Sequence, residues 1–293
     1  MKSSTSKPSF LADSLKRKII FFTGKGGVGK TAMAWATALA LQRQKQRVKV
    51  VSWSPFNNPS ENSALKDFGI PWEQLDSVSC FKEYALKTLK FEKFFDAVFD
   101  NKILKAFIGA APGLPETVIA GKVWDLFDRA EQDTLIVDLP ATGHALSFFK
   151  SPMGIEKMFA SGFVHRQAGQ ICDMFIDPRA RLDIVTLPEE MPILETQQFV
   201  ESALNLAHFP LGFLLVNQCT PDFPIPNPLP TELSREVTDC LIDHQNRVRR
   251  ETLVLKEAHD LPLFLRKLPR FSTEVLKETI ERLAESLAES LES

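Results

Sequence analysis

The sequence predicts an α/β fold, a three-layer αβα sandwich with a mostly parallel central sheet and an added helical subdomain. Two observations predict the sheet: short apolar runs of strand length alternate with helical stretches, and a glycine-rich loop joins the first run to a helix. Strands that alternate with helices form parallel sheets. The subdomain is predicted by two long stretches rich in Phe, Met, Leu and Ile that carry few strand signals. A chain of 293 residues can bury one such core without disulfides or a structural metal.

Five apolar runs predict the core strands, because continuous runs of this length are typical of strands buried on both faces. They are Lys18 to Thr23, Val48 to Ser52, Thr134 to Val137, Leu182 to Thr186 and Phe213 to Val216. The helical stretches outside the sheet lie at about residues 82–128 and 148–177. Residues 18–293 are therefore predicted to form a single domain with two helical inserts.

The two ends of the chain predict different structures. Residues 1–17 are rich in Ser and Lys, which predicts a flexible N-terminal tail. Thr273 to Ser293 places its apolar residues near one helical face, which predicts an amphipathic helix docked on the domain. Prolines crowd residues 221–230, so an extended surface connection is expected there.

Charge and cysteine content limit the partners and the location. The chain has 35 Lys and Arg against 37 Asp and Glu, a net charge of -2, so no nucleic-acid partner is predicted. The four cysteines are scattered, with no CxxC pair, and no signal peptide precedes them, which predicts a cytoplasmic protein. No apolar run approaches the roughly 20 residues of a membrane helix, so no transmembrane segment is expected.

A glycine-rich loop follows the first predicted strand directly. Gly24, Gly29, Lys30 and Thr31 meet the spacing G-x-x-x-x-G-K-T of a phosphate-binding loop. Its glycines let backbone N–H groups surround phosphate oxygens at the positive end of a helix. Lys30 is expected to reach the β- and γ-phosphates, and Thr31 to bind Mg²⁺ through its hydroxyl. The loop therefore predicts ATP and Mg²⁺ as ligands.

The ends of two other predicted strands bear on the same site. Asp138 ends an apolar run, where its carboxylate either accepts a hydrogen bond from a Mg²⁺-bound water or is an ordinary strand-end aspartate. After Val216 the chain reads Asn217-Gln218-Cys219-Thr220, whereas a GTP-specific protein would carry N-K-x-D. A nucleotide kinase or GTPase is therefore disfavoured, and adenine is the expected base.

Five motifs follow one another along most of the chain. They are FFTGKGGVGKT (Phe21 to Thr31), LIVDLPATGHAL (Leu135 to Leu146), TLPEEMPILET (Thr186 to Thr196), FLLVNQ (Phe213 to Gln218) and, more weakly, LPLFLRKLP (Leu261 to Pro269). They resemble, in the same order, motifs of the arsenite-pump and tail-anchored-protein-targeting ATPases. That family is anion-transporting ATPase-like and comprises P-loop NTPases with a deviant Walker A loop.

The resemblance implies roles that the loop spacing alone does not. The family's counterpart of Lys25 reaches across a dimer interface to the partner's nucleotide, so a homodimer is implied. Asn217 matches an adenine-binding Asn, and residues 140–144 match a segment that senses the γ-phosphate. The implied function is an ATP-hydrolysing dimeric switch that couples nucleotide state to dimer closure and to binding of a partner or client.

The residues expected to form the site have three roles. The expected catalytic residues are Lys25, Lys30 and Asp138. The expected nucleotide-binding residues are Gly24, Gly26, Gly27, Val28, Gly29, Lys30, Thr31, Ala32 and Asn217. The expected metal ligands are Thr31 and Asp138.

One segment departs from the family. Where such proteins carry Asp-Pro-Ala-His, with the Asp activating the attacking water, this sequence reads SPFNN at residues 54–58. Ser54 is a poor base at neutral pH. Three alternatives follow: Asn57 or Asn58 positions the water without deprotonating it, a nearby acid such as Glu61 replaces the missing Asp, or the protein is a slow nucleotide-dependent switch. The alternative function is a nucleotide-binding scaffold or regulator with little or no turnover.

Aromatic and methionine side chains of the helical stretches offer a groove for a hydrophobic or membrane-protein client, with burial in the core as the alternative. They are Phe91, Phe94, Phe95, Phe99, Phe107, Met153, Met158, Phe159, Phe163, Met174 and Phe175. The scattered cysteines do not predict arsenite or zinc binding.

Overall fold

A computed structural model of the chain describes residues 9–53, 65–89, 112–226, 229–230, 232–273 and 275–289. The described residues form a seven-stranded sheet whose neighbouring strands are all parallel. The strands are β1 (Ile19–Gly24), β2 (Val48–Ser52), β3 (Trp72–Gln74), β4 (Thr134–Asp138), β5 (Ala180–Thr186), β6 (Leu211–Cys219) and β7 (Phe264–Pro269). Their order is β3-β2-β4-β1-β5-β6-β7, so β1 lies at the centre.

Helices cover both faces of this sheet. Within the described ranges they are α1 (Phe10–Ser14), α2 (Lys30–Arg43), α3 (Ser77–Leu89), α4 (Leu114–Arg129), α5 (Thr142–Met158), α6 (Phe163–Ile176), α7 (Glu190–Leu206), α8 (Arg235–Glu257) and α9 (Leu276–Ala288). Buried residues of α1, α2 and α9 belong to one core, and those of α4 to α7 belong to the other. The predicted three-layer αβα sandwich is therefore confirmed.

The central strand shows why the sequence folds in this way. Successive side chains of a strand point to opposite faces, and those of β1 are apolar on both. Ile19 and Phe21 join the core under α4 to α7, whereas Ile20 and Phe22 join the core under α2 and α9. All four are at most 2% exposed. A continuous apolar run is thus what a strand with helices on both faces requires.

The five predicted core strands are confirmed, most of them with one or more additional residues. The sequence did not predict the two edge strands. β3 is only three residues long, and β7 contains Arg266 and Lys267 within its six residues. Each edge strand pairs on one side only, so neither needs the continuous apolar run from which core strands are predicted.

Helices also occupy the described parts of the two predicted inserts. The first, residues 82–128, holds the end of α3 and most of α4, and its residues 90–111 lie outside the described residues. The second, residues 148–177, holds most of α5 and all of α6. These four helices pack against one another beside the sheet.

The prediction of a flexible tail over residues 1–17 must be corrected from Ser9 onward, while residues 1–8 lie outside the described residues. Phe10 of α1 is 1% exposed, and its ring centroid lies 5.0 Å from that of Phe213. Asp13 accepts a hydrogen bond of 2.8 Å from Arg181 on β5. A buried aromatic ring and an ion pair thus help to hold this segment on the domain despite its polar composition.

The predicted C-terminal docking helix is confirmed. α9 buries Ile280, Leu283 and Leu287 against α2, as expected for an amphipathic helix. Over the described ranges, every helix is too short or too polar to cross a lipid bilayer.

Candidate functional site

The phosphate loop lies at the carboxyl end of the central strand, between β1 and α2. Gly24 pairs with Val185 of β5, and a Cβ atom at Gly24 would lie 2.0 Å from the Val185 carbonyl oxygen. Gly24 also has a φ of +147°. Only glycine fits such a position. Gly26 and Gly27 are exposed, and the space beside their Cα atoms is open.

Asn217 of β6 braces the far side of the loop. Its Nδ2 donates to the Val28 carbonyl at 2.9 Å, and its Oδ1 accepts from the Gln218 backbone N–H. A Cβ atom at Gly29, where φ is +93°, would lie 2.5 Å from this Nδ2. The amide thus serves the loop itself, and the contact with Val28 uses one of its two N–H groups.

Lys30 begins α2 and points back into the loop. Its Nζ donates to the Lys25 carbonyl oxygen at 3.0 Å. The side chain is only 9% exposed, and this burial lowers the pKa of its ammonium group, although the charge of Asp138 opposes the shift. A cation and the first N–H groups of a helix therefore lie at one place, as phosphate binding requires.

Asp138 ends β4 beside the loop and is fully buried. Its Oδ2 accepts hydrogen bonds from Thr31 Oγ1 at 2.8 Å and from Ser52 Oγ at 3.0 Å. Its Oδ1 is buried with no hydrogen-bond partner among the residues that the structure describes. Burial raises the pKa of Asp138 to about 6, although the two hydroxyls and the charge of Lys30 favour the ionised form.

A divalent cation fits this arrangement. Hard cations such as Mg²⁺ take oxygen ligands, and a P-loop site provides few of them beside the phosphates. The Thr31 hydroxyl donates its proton to Asp138, so its lone pairs stay available to a metal. The unpartnered Oδ1 of Asp138 is the kind of buried polar atom that a cation or its water would satisfy.

Lys25 is held by its own chain. Its Nζ lies 2.6 Å from Oε1 of Glu195 on α7. About a third of each side chain is exposed, 36% for Lys25 and 33% for Glu195. The pair is therefore partly open to solvent, unlike the buried contacts of Asp138.

The structure brings the expected loop residues, Asp138 and Asn217 together at one edge of the sheet. Val28 is buried, and Ala32 lies in the first turn of α2. Thr23 Oγ1 donates to the Pro140 carbonyl at 3.3 Å, which joins β1 to the segment at residues 140–144. Ser54, Asn57, Asn58 and Glu61 lie outside the described residues.

Two residues at this edge, Ser52 and Glu195, were not predicted from the sequence as site residues. Ser52 ends an apolar run just as Asp138 does, and the parallel register pairs the two directly. That shared position was an available signal. Glu195 lies within the TLPEEMPILET motif, but nothing in the letters of that motif indicates Lys25 as its partner.

The aromatic and methionine residues of the helical region have different fates. Met174 and Phe175 are buried in the core, where Phe175 contacts Phe21. Met158, Phe159 and Phe163 are exposed. Phe91, Phe94, Phe95, Phe99 and Phe107 lie outside the described residues. The residues expected to form a groove are therefore divided between core and surface.

A mostly apolar cavity of about 270 Å³ lies among α3 to α6. Its lining includes Tyr84, Val118, Trp124, Ile155 and Val164. Of the eleven Phe and Met residues predicted for a groove, the six that the structure describes do not line this cavity.

A parallel sheet with a glycine-rich loop between its central strand and a helix defines a P-loop NTPase fold. A family model described as an anion-transporting ATPase matches residues 17–175, which include the phosphate loop, Ser52 and Asp138. The match covers more than half of the chain. The chain belongs to the anion-transporting ATPase family.

Individual relatives are also ATPases by name. The chain is similar to ATPase BagA of Mycobacterium tuberculosis, with 24% identity over 226 residues that cover 68% of this chain and 64% of that protein. ATPase asna-1 of Caenorhabditis elegans is 27% identical over 165 residues, which cover 48% and 47%. Putative arsenical pump-driving ATPase 2 of Aquifex aeolicus is 24% identical over 251 residues, which cover 71% and 82%. The chain thus spans less than two thirds of the mycobacterial and worm proteins.

Proposed function

We propose that the chain binds Mg-ATP at the phosphate loop and hydrolyses it as a homodimeric switch, which couples nucleotide state to dimer closure and to binding of a client. The observation that carries this proposal is the convergence of Lys30, Thr31 and Asp138 at one edge of the sheet. A cation, a hydroxyl and a buried carboxylate with an unpartnered oxygen meet there. The family name and the names of the relatives indicate the same activity.

Each residue would act on the triphosphate through its own chemistry. The loop N–H groups and the Lys30 ammonium bind phosphate oxygens and orient them. Thr31 and Asp138 would hold Mg²⁺, Thr31 through its hydroxyl oxygen and Asp138 directly or through a bound water. The chemistry that Mg²⁺ would supply there is positive charge beside the phosphates. Asn217 keeps the loop in shape and offers one N–H to adenine.

The homodimer is proposed because of Lys25. The loop uses the backbone carbonyl of Lys25 to accept from Lys30, but it does not use the Lys25 ammonium. That ammonium lies at the partly exposed rim of the site. A lysine there can approach the γ-phosphate of a second copy, where positive charge stabilises phosphoryl transfer.

Single-turnover phosphate release tests the enzymatic proposal. Purified protein with limiting ATP and Mg²⁺ should release phosphate faster than the Lys30→Ala variant does. A rate equal to that of Lys30→Ala would exclude hydrolysis. If the two rates are equal but the wild type still binds nucleotide, the result would favour a scaffold or regulator without turnover. The reason for this alternative is that Ser54 stands where the family has an Asp.

A hydrophobic client is the proposed partner. The cavity among α3 to α6 and the exposed Met158, Phe159 and Phe163 support a surface for an apolar segment. The dimer with Mg²⁺ and a non-hydrolysable ATP analogue should retain a fluorescent transmembrane peptide, and the nucleotide-free protein should not. Equal retention in both states would exclude a nucleotide-controlled client site.

The four free thiols support a cytoplasmic location.

A further inference from the structure

The ammonium of Lys25 is bound by a carboxylate that the phosphate-loop motif does not predict. Lys25 Nζ and Glu195 Oε1 are 2.6 Å apart. Glu195 lies near the start of α7, which follows β5 directly. β5 pairs with β1 so that Val185 lies opposite Gly24, the residue before Lys25. The register of the two central strands therefore places α7 beside the loop.

The backbone and the side chain of Lys25 are held by different groups. Its carbonyl oxygen accepts from Lys30 Nζ at 3.0 Å, within the loop. Within the described part of the chain, its ammonium is held by a partly exposed carboxylate on another element. The side chain can leave Glu195 without any change in the loop backbone.

We propose that Glu195 is a positioning residue that holds Lys25 on its own protomer until a second copy closes over ATP and offers the ammonium a phosphate. This inference rests on the proposed function, because the step it controls is dimer closure. Glu195 competes with the partner's triphosphate for one cation. Closure with MgATP must therefore separate the Lys25–Glu195 pair, and the pair opposes closure in the absence of nucleotide.

The exposure of the pair sets the size of the effect. Ion pairs that are partly open to water shift an equilibrium by about two- to five-fold. A triphosphate carries more negative charge than one carboxylate, so it can take the lysine from Glu195. The pair thus tunes the nucleotide concentration at which closure occurs and does not prevent closure.

The first test compares nucleotide-dependent dimerisation of the wild type and Glu195→Gln by analytical ultracentrifugation. A non-hydrolysable ATP analogue is titrated with Mg²⁺ in excess. The variant should reach half-maximal dimerisation at an analogue concentration about two- to five-fold lower. Glu201→Gln is the matched control, since it removes an exposed carboxylate about 9 Å farther along α7. An unchanged or higher midpoint for Glu195→Gln would overturn the inference.

A second measurement needs neither ATP nor a dimer. In nucleotide-free protein, acetylation of Lys25 by N-hydroxysuccinimidyl acetate is followed by mass spectrometry, with exposed Lys45 as the internal reference. Loss of the carboxylate should speed acetylation of Lys25 relative to Lys45 by about two- to five-fold. Equal rates in wild type and Glu195→Gln would mean that Glu195 does not hold the lysine, and would overturn the inference.

The two proposals fail in different ways. A wild-type protein that stays monomeric with the analogue and Mg²⁺ would overturn the dimeric switch, and the inference with it, before any variant is compared. A wild type that dimerises beside a Glu195→Gln variant with an unchanged midpoint would overturn the inference alone. Urea unfolding should give nearly the same midpoint for both proteins, since a partly exposed pair contributes little to stability.

Discussion

Two aspartates are fully buried in the sheet, Asp183 on β5 and Asp138 on β4. They differ in the hydrogen bonds that their carboxylate oxygens accept. Both carboxylate oxygens of Asp183 have partners, Oδ2 two nitrogens of Arg181 and Oδ1 the Phe213 backbone N–H. Asp138 receives two hydroxyls on Oδ2, and its Oδ1 has no partner in the described part of the chain. Burial raises the pKa of both groups, to about 6 for Asp138.

Arg181, the partner of Asp183, makes further contacts of its own. Its guanidinium also donates to Asp13 at 2.8 Å and to the Ser14 hydroxyl at 2.8 Å. The Phe10 ring lies 4.7 Å from it. Buried charges persist where they are paired and hydrogen-bonded. The Asp183 region is therefore structural and joins α1 to the sheet. By contrast, Oδ1 of Asp138 has no partner in the described part of the chain, and we propose that a cation uses it.

Disruption of the hydrogen bonds between Arg181 and Asp183 should lower stability more than any other change considered below. Arg181→Met would leave Asp183 buried without its cation, and we expect a loss of about 3–5 kcal/mol in the free energy of unfolding, measured by urea denaturation. Arg179→Met is the control, because Arg179 forms an exposed pair with Asp177 and should cost about 0–1 kcal/mol. Equal losses for the two variants would contradict the structural role of Arg181.

The second effect is a pH dependence at Asp138, measured without nucleotide or Mg²⁺. The pKa of Asp138 rises from 3.8 to about 6 on folding, so its contribution to stability is complete below pH 4 and is lost as pH rises through 6. Asp138→Asn cannot ionise. The unfolding free energy of this variant relative to wild type should therefore increase by about 2–3 kcal/mol between pH 4 and pH 7.

The constant cost of the amide does not affect this test. An unpaired N–H in place of Oδ1 lowers the stability of Asp138→Asn equally at every pH. Ionisation of the Asp138 carboxylate is therefore reported only by the way in which the difference in unfolding free energy between variant and wild type changes with pH. A difference that stays constant from pH 4 to pH 7 would show that burial does not raise the pKa of Asp138.

The smallest expected effect belongs to Ser52. Ser52→Ala removes one of the two hydroxyls that favour the ionised Asp138, so we expect a loss of about 1 kcal/mol at pH 7 and a higher pKa for Asp138. Thr37→Val is the control, since its hydroxyl donates to the Met33 carbonyl inside α2. Both variants should lose stability, but only Ser52→Ala should move the pH at which stability falls. The same pH midpoint in both would contradict the role assigned to Ser52.

The sequence predicted this fold well where residues are buried on both faces, and less well elsewhere. The apolar runs of β1, β2 and β4 are unmistakable, whereas β7 carries Arg266 and Lys267 at an edge. Phe10 is a single aromatic residue in a polar stretch, and it packs against Arg181, 171 positions away in the chain, and against Phe213. Long-range partners of this kind leave no local pattern.

The site follows the same rule. The phosphate loop and the carboxylate of Asp138 were predictable because their motif and strand end are local features. The Ser52 contact depends on the register of β2 against β4, and the Glu195 contact depends on where α7 begins. Neither contact can be predicted from a single segment of the chain.

We propose that Oδ1 of Asp138 lacks a partner in the described part of the chain because this carboxylate holds a metal ion bound with ATP. The most direct test is the affinity for a fluorescent ATP analogue, measured with Mg²⁺ and with EDTA in wild type and Asp138→Asn. We predict that Mg²⁺ tightens binding to wild type by about ten-fold and leaves binding to the variant nearly unchanged. An equal gain from Mg²⁺ in Asp138→Asn would contradict the account.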